Sequence, residues 1–206
     1  MEQKIDMIVN RLPAKTWNRL SVNQAEIKNL EADGWQRPAV TVRYPKDEKP
    51  VVKELMAEQE SSVYKKMEQI RTGMGAEVSR LKPEDATDIC VETVEEGGES
   101  DERRERMRRD EVVLVLDYPD RKNCFQDVKI YARAGECVTV WTVVRSKKDA
   151  EGKAVLRTLL QAEENAKIRL VQVDLLGDRM ELFNDIGVES GKQAQIEVCL
   201  LYTSDA

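Results

Sequence analysis

The stretch that decides the fold is residues 130–140, IYARAGECVTV, because its pattern returns twice further along the chain. Residues 159–170 read LLQAEENAKIRL, and residues 186–198 read IGVESGKQAQIEV. Each copy has alternating apolar residues, a turn of small and polar residues, and a second alternating stretch. The equivalent apolar positions, separated by 30 and 28 residues, are Val138, Ile168 and Ile196. A period in this range is typical of stacked units that bury a core only against one another, and it predicts a β-solenoid, here a parallel β-helix.

This repeat divides the chain into four parts. The predicted β-helix core covers residues 112–198, and its third unit is incomplete. Residues 95–111 form a linker by composition, with eight acidic residues and five arginines in 17 positions. The interleaved acids cancel the arginines, so a solvated connector is favoured over an anion-binding or nucleic-acid-binding patch. The remaining parts are residues 1–94 and the tail, residues 199–206.

Residues 1–94 are predicted to be a helical domain. Near the start, apolar residues at i, i+3, i+4 and i+7 are typical of one face of a helix, and they are Ile5, Ile8, Val9 and Leu12. The longest helix is expected over residues 51–72, where Val52, Met56, Val63, Met67 and Ile70 form one stripe. Gly73 and Gly75 are expected to end it. Overall, the sequence predicts an α+β protein, an N-terminal helical domain followed by an incomplete parallel β-helix.

Composition restricts the function classes. The chain has 206 residues, of which 41% are hydrophobic and 35% are charged, and this hydrophobic fraction is enough for a core. The net charge of −6 argues weakly against general nucleic-acid binding. No run approaches the roughly 18–20 apolar residues of a membrane span, and the first residues do not resemble a secretory signal. Four widely spaced cysteines favour a reducing compartment, and we expect a cytoplasmic protein.

No candidate catalytic constellation emerges from the residues. Histidine is missing, which removes Ser/His and Cys/His pairs, and neither a C-x-x-C pair nor a phosphate-binding loop is found. Cys124 and Cys137 could ligate an iron–sulfur cluster, but buried thiols are the commoner role of free cysteine. Acidic residues along the repeats could line a polysaccharide-cleaving cleft or occupy turns and outer faces, and they are Glu163, Glu164, Asp174, Asp178 and Asp185. We therefore assign no catalytic, cofactor-binding or metal-binding residue.

Four segments carry a resemblance to a known family. They are residues 12–23 (LPAKTWNRLSVN), 72–75 (TGMG), 162–177 (AEENAKIRLVQVDLLG) and 183–187 (FNDIG). Their combination and order resemble the SufB/SufD family, and SufD-like proteins in particular. The resemblance implies a helical N-terminal domain, a right-handed parallel β-helix and a C-terminal helical domain. It also implies a non-catalytic scaffold subunit of SUF iron–sulfur cluster assembly, paired with a SufB-type subunit and a SufC-type ATPase, with a homodimer left open.

The chain departs from the family pattern after Val198. Residues 199–206, CLLYTSDA, look like a non-native tail, so the sequence is expected to be an N-terminal fragment without the cluster-site and ATPase-docking regions. No cofactor is expected in this fragment. The apolar end of the last strand is expected to promote self-association. The alternatives kept open are a β-helix polysaccharide-active enzyme, a carbohydrate-binding β module and a β-sandwich binding module.

Overall fold

The structure is a computed structural model that describes residues 4–10, 25–31, 33–45, 50–93 and 110–202. It is built mainly from strands. In chain order these are β1 (Lys4–Val9), β2 (Ala25–Glu31), β3 (Ala39–Arg43), β4 (Val51–Leu55), β5 (Asp88–Glu92), β6 (Glu111–Asp117), β7 (Cys124–Ala132), β8 (Cys137–Arg145), β9 (Glu151–Ala162), β10 (Lys167–Leu175), β11 (Arg179–Ser190) and β12 (Gln195–Tyr202). Among the described residues, the helical elements are α1 (Ser62–Met67) and two 3₁₀ turns, Ala57–Gln59 and Ala76–Leu81.

The strands from β5 onward form a β-solenoid of about three turns. The first sheet has the order β12-β10-β8-β6-β3, and the second has the order β11-β9-β7-β5-β4. Successive strands alternate between the two sheets, and β6, β8, β10 and β12 pair in parallel, as do β5, β7, β9 and β11. Within these two sheets, β3 and β4 at the N-terminal end of the stack pair antiparallel with their neighbours.

The repeat predicted from the sequence is confirmed residue by residue. Ile168 pairs with Val138 on one side and with Ile196 on the other. The first two of these side chains are buried in the core between the sheets, and Ile196 packs against that core. The parallel β-helix is therefore confirmed and the β-sandwich alternative is excluded, while the right-handed sense implied by the resemblance stays a prediction.

The predicted N-terminal helical domain is wrong, and so is the α+β class. β1 and β2 form an antiparallel pair, and the long helix expected over residues 51–72 is replaced by β4, a 3₁₀ turn and the short α1. Ile5 and Val9 fit a helical face and a strand equally well, but Met7 is buried and Ile8 is 49% exposed, as a period of two requires. β4 becomes a strand because the edge of β5 offers it backbone partners, and such tertiary pairing overrides a local helical pattern.

Residues 56–83, here called the covering segment, lie on the outer face of the second sheet. Tyr64 and Met67 of α1 pack against Cys90, Tyr131 and Leu159. Val78 and Leu81, together with the β1–β2 hairpin, pack against Phe125 and Val155, which also face outward. Both faces of the second sheet are therefore buried over most of their area, as in sheets covered by other elements on each side.

Two short segments that are far apart in the sequence, residues 72–75 and 185–187, meet at the edge of the covering segment. The backbone N–H of Met74 donates to Asp185 Oδ1 at 3.1 Å, and Asn10 N–H donates to the Gly73 carbonyl at 2.7 Å. A Cβ at Gly187 would lie 2.8 Å from Thr72 Cγ2, so a side chain at this strand position would require its neighbours to shift. Gly73 and Gly75 do not end a helix, since α1 ends at Met67. Gly73 belongs to this contact, and Gly75 directly precedes the 3₁₀ turn Ala76–Leu81.

The structure describes only part of the predicted linker, of the predicted tail and of the segments that carry the resemblance. Residues 94–109, most of the predicted linker, and residues 203–206 of the predicted tail lie outside the described residues, as do residues 12–23 of the resemblance. Cys199 to Tyr202 continue β12 and pair with Val171 to Asp174. The side chains of Val198, Leu200 and Leu201 are 41–49% exposed, and self-association through them stays a prediction. No described helix has the length and apolar character needed to cross a membrane.

Candidate functional site: a buried charge cluster

The outer face of the second sheet carries an unusual group of buried charges. Alternation along β7 points Phe125, Asp127, Lys129 and Tyr131 to this face, so two charged side chains lie between aromatic ones. Asp88 of β5 and Arg157 of β9 lie beside them. All four charged side chains are at most 4% exposed, and the covering segment lies above them. Charges buried to this extent are kept in proteins only where they are paired.

Lys129 lies at the centre of the cluster. Its Nζ is 2.6 Å from Glu60 Oε1, 2.7 Å from Glu68 Oε1 and 2.9 Å from Asp88 Oδ2. Burial by itself would lower the pKa of Lys129, but the three carboxylates outweigh burial and raise it. The side chain is therefore a permanently charged ammonium that links β5 and β7 to the covering segment.

Arg157 forms the second half of the cluster. Its Nε and one terminal nitrogen bind the Asp127 carboxylate at 2.7 and 2.6 Å, a bidentate pairing. The same guanidinium donates to Ser79 Oγ at 3.0 Å and to Glu68 Oε2 at 2.8 Å. Lys82 Nζ bridges Asp88 and Asp127 at 2.6 and 3.1 Å. Glu68 and Lys82 thus join the two halves into one network.

The cluster holds one more carboxyl group than cations. Its acids are Glu60, Glu68, Asp88 and Asp127, and its cations are Lys82, Lys129 and Arg157. Burial and a hydrogen bond with Asp88 raise the pKa of Glu60. Burial acts against ionisation of Asp88 too, but the hydrogen bond from Glu60 and the two lysines lower its pKa. Of these two acids, Glu60 is therefore the one whose ionisation its surroundings oppose.

Three of these acids have the spacing of metal ligands. Carboxylate oxygens of Glu60, Glu68 and Asp88 lie within 4.8 Å of one another. Lys129 Nζ, however, lies within hydrogen-bonding distance of all three, in the position that a cation would take. The residues therefore do not fit a metal ion, because its binding would require the ammonium group to leave the cluster.

A cleft of about 530 Å³ opens beside the cluster. Its floor includes Glu60, Glu68, Lys82 and Arg157, and its rim belongs to the covering segment and the residues just after it. Each cation at the floor already contacts two or more carboxylates, so it offers little attraction to an anionic ligand. These ion pairs therefore attach the covering segment to the solenoid at a defined register.

The predicted cysteine candidates are buried thiols. Burial raises the pKa of Cys124 to about 11 and also raises the pKa of Cys137. Cys90, beneath α1, has a pKa raised to about 12 for the same reason. A thiol must lose its proton to bind iron, so these environments favour the interpretation as small buried side chains.

The acidic residues considered for a polysaccharide cleft do not share a groove. Glu163 accepts hydrogen bonds from Tyr131 Oη and from the Ala134 backbone, and Glu164 lies in the same turn. Asp178 lies in the turn after β10, and Asp174 accepts from Gln172 Nε2 at 2.9 Å. Asp185 is held by Met74 on the outer face of the second sheet. A paired-carboxylate hydrolytic site is therefore not formed by these five residues.

The buried charge cluster was missed in the sequence, although a signal for it exists. Asp127 and Arg157 are 30 residues apart, which is the period of the repeat, and they pair in register. Opposite charges at equivalent positions of successive units predict a cross-strand ion pair. Its burial could not be predicted, because the cover comes from residues 56–83, which were interpreted as part of a separate helical domain.

Comparisons with known proteins give no further identification. No family model matches the chain, and searches of the curated proteins and of the solved structures find no match.

Proposed function

We propose that this chain is a scaffold subunit of SUF-type iron–sulfur cluster assembly, similar to SufD, which acts by binding partners and not by catalysis. The observation that carries the proposal is the contact between residues 72–75 and residues 183–187. Both segments contribute to the resemblance, and Met74 N–H donates to Asp185 while Thr72 packs on Gly187. Segments that form one contact in the fold have a joint physical reason to occur together in a sequence.

The parallel β-solenoid supports a scaffold role. Its repeats place long strands side by side and give a rigid, extended body. The charge cluster adds to this rigidity, since it holds the covering segment through ion pairs of 2.6–3.1 Å. The helical N-terminal domain implied by the resemblance is not part of the proposal, because the described part of residues 1–94 contains five strands, one short α-helix and two 3₁₀ turns.

The proposed partners are those implied by the resemblance. A SufB-type subunit is expected to bind the chain directly, and a SufC-type ATPase is expected to join that complex without binding this chain by itself. The proposed compartment is the cytoplasm, in agreement with four free cysteines, three of them buried.

Co-purification tests the partner proposal. The tagged chain is co-expressed with a SufB-type subunit, with a SufC-type ATPase, and with both, and the eluates are analysed by size-exclusion chromatography with light scattering. We expect a complex with the SufB-type subunit and a larger one when all three are present. An unrelated parallel β-helix protein serves as the control for nonspecific adhesion. Failure to bind either partner, with cleavage of an acidic polysaccharide by the purified chain, would favour the enzyme alternative.

The non-catalytic part of the proposal has its own test. After anaerobic reconstitution with iron and sulfide, the isolated chain is expected to hold no stable cluster and to show no ATPase activity. Stoichiometric iron and sulfide, with a visible charge-transfer band that Cys124→Ser or Cys137→Ser abolishes, would contradict it.

A further inference from the structure

The core between the two sheets contains a short polar line. The inward-facing row of the first sheet runs through Leu114, Thr142, Gln172 and Leu200, which pair in register on β6, β8, β10 and β12. Thr142 is 1% exposed and Gln172 is fully buried. By contrast, the row through Val138, Ile168 and Ile196 on the same strands is entirely apolar. In the first sheet, polar side chains therefore face inward at Thr142 and Gln172 and, one inward row further, at Asp174.

Two oxygens on this line, and one from Tyr118 just after β6, lack a partner among the described residues. Gln172 Nε2 donates to Asp174 Oδ1 at 2.9 Å. Gln172 Oε1, Thr142 Oγ1 and the Tyr118 hydroxyl make no hydrogen bond with any residue that the structure describes. Tyr118 is buried between the sheets, where Asp174 and Cys124 influence its ionisation. Buried polar groups almost always form a hydrogen bond, so each of these three oxygens is expected to have a hydrogen-bonding partner.

We propose that Thr142 and Gln172 form an internal water-binding site inside the solenoid, with Asp174 and Tyr118 beside it. A water molecule between neighbouring strands donates one hydrogen bond to Gln172 Oε1 and a second to Thr142 Oγ1. The Tyr118 hydroxyl and the Asp174 carboxyl provide further donors and acceptors. Internal waters in proteins typically have two to four such polar partners.

The chemistry of these groups favours water over the other ligands. Gln172 Oε1 can only accept, so its partner must donate. Hydroxyl groups both donate and accept, which suits water. A metal ion would need negative charge in the site, but burial raises the pKa of Asp174 and opposes its ionisation. Thr142 and Gln172 lie on adjacent strands without a direct hydrogen bond, which leaves their oxygens available to a bridging molecule.

Water ¹⁷O magnetic relaxation dispersion tests the proposal, because it counts long-lived internal waters without interference from hydroxyl protons. The wild-type chain is compared with Thr142→Val, Gln172→Leu and the double variant. Thr139→Val is the matched control, since it makes the same change on β8 but on the opposite face of the strand. We expect the double variant to lose the dispersion amplitude of at least one water, and Thr139→Val to lose none.

Equal amplitudes in the wild type and a folded double variant would overturn the proposal. If the variants do not fold, a high-resolution crystal structure of the wild-type chain decides it instead. Ordered water within hydrogen-bonding distance of both Gln172 Oε1 and Thr142 Oγ1 is expected. A direct Thr142–Gln172 hydrogen bond with no water beside it would contradict the proposal. Neither experiment depends on partner binding, so the result is independent of the proposed scaffold function.

Discussion

The two faces of the second sheet are both buried, yet they are held by different forces. The inner face packs apolar side chains such as Val128, Ile130 and Leu156 against the first sheet. The outer face combines apolar contacts with Asp127, Lys129 and Arg157, which pair with the covering segment. The comparison teaches that this solenoid is stabilised by non-directional burial inside and by directional charge pairing outside. Apolar burial is compatible with many different neighbours, whereas the ion pairs form only in the register that brings opposite charges together.

The largest effect is expected from Lys129→Met on the outer face. Loss of the ammonium leaves Glu60, Glu68 and Asp88 close together without their central cation. Removing one member of a buried ionic group typically costs about 3–5 kcal/mol of folding free energy. Urea unfolding followed by circular dichroism measures it, with Lys53→Met on the exposed surface of β4 as the control. A loss as small as that of the control would mean that the cluster contributes nothing to attachment.

On the inner face, Ile168→Ala is expected to have the next largest effect. The side chain is fully buried between Val138 and Ile196, and truncations of this kind cost about 2–5 kcal/mol because a cavity remains. Ile196→Ala is the matched variant, since Ile196 is only half-buried and should lose clearly less. The same unfolding assay compares them, and equal losses would argue against the stacked interior column.

Gly187→Ala tests the contact between the covering segment and β11. The new Cβ would lie 2.8 Å from Thr72 Cγ2 and 2.9 Å from Ile70 Cγ2, so these side chains of the covering segment must shift. Overpacking of this kind costs about 1–3 kcal/mol. Limited proteolysis should then cut within residues 56–83 faster than in the wild type. Glu189→Ala, an exposed change on the same face of β11, is the control, and an unchanged cleavage rate for Gly187→Ala would contradict the contact.

The smallest effects are expected from neutralising single acids of the cluster, and pH separates them. Arg157, Lys129 and Lys82 lower the pKa of Glu68 even though burial opposes its ionisation. Its stabilisation is therefore present above the ordinary pKa of 4.5 and is lost as the pH falls through the lowered value. Glu68→Gln should be less stable than the wild type at neutral pH, and the difference should shrink below about pH 4.5.

Glu60→Gln is the counterpart, with the opposite sign. Because the pKa of Glu60 is raised, its folded state favours the protonated form, which glutamine imitates. The wild type should lose stability as the pH rises from 4.5 through the raised value, whereas the variant should not. Thermal unfolding from about pH 2 to about pH 8 measures both variants across the two titrations. A greater deficit for Glu60→Gln than for Glu68→Gln at pH 7 would contradict the raised pKa of Glu60.

The sequence by itself determined the solenoid and its interior column. Val138, Ile168 and Ile196 were predictable because each repeat carries the same alternation, and stacking equal units requires only nearest neighbours. It also contained the Asp127–Arg157 pairing, as opposite charges one repeat apart. These features depend on the local pattern and the period, which a single sequence displays.

Only the tertiary structure decided what residues 4–93 become and what they cover. Met7 and Val52 lie in strands because partner strands satisfy their backbone groups, and those partners lie outside the local window. Lys129 became the centre of a cluster because residues 56–83 bring Glu60 and Glu68 above it and exclude water. Burial changes the free energy of a charge far more than its neighbours in sequence do, and burial is a property of the whole fold.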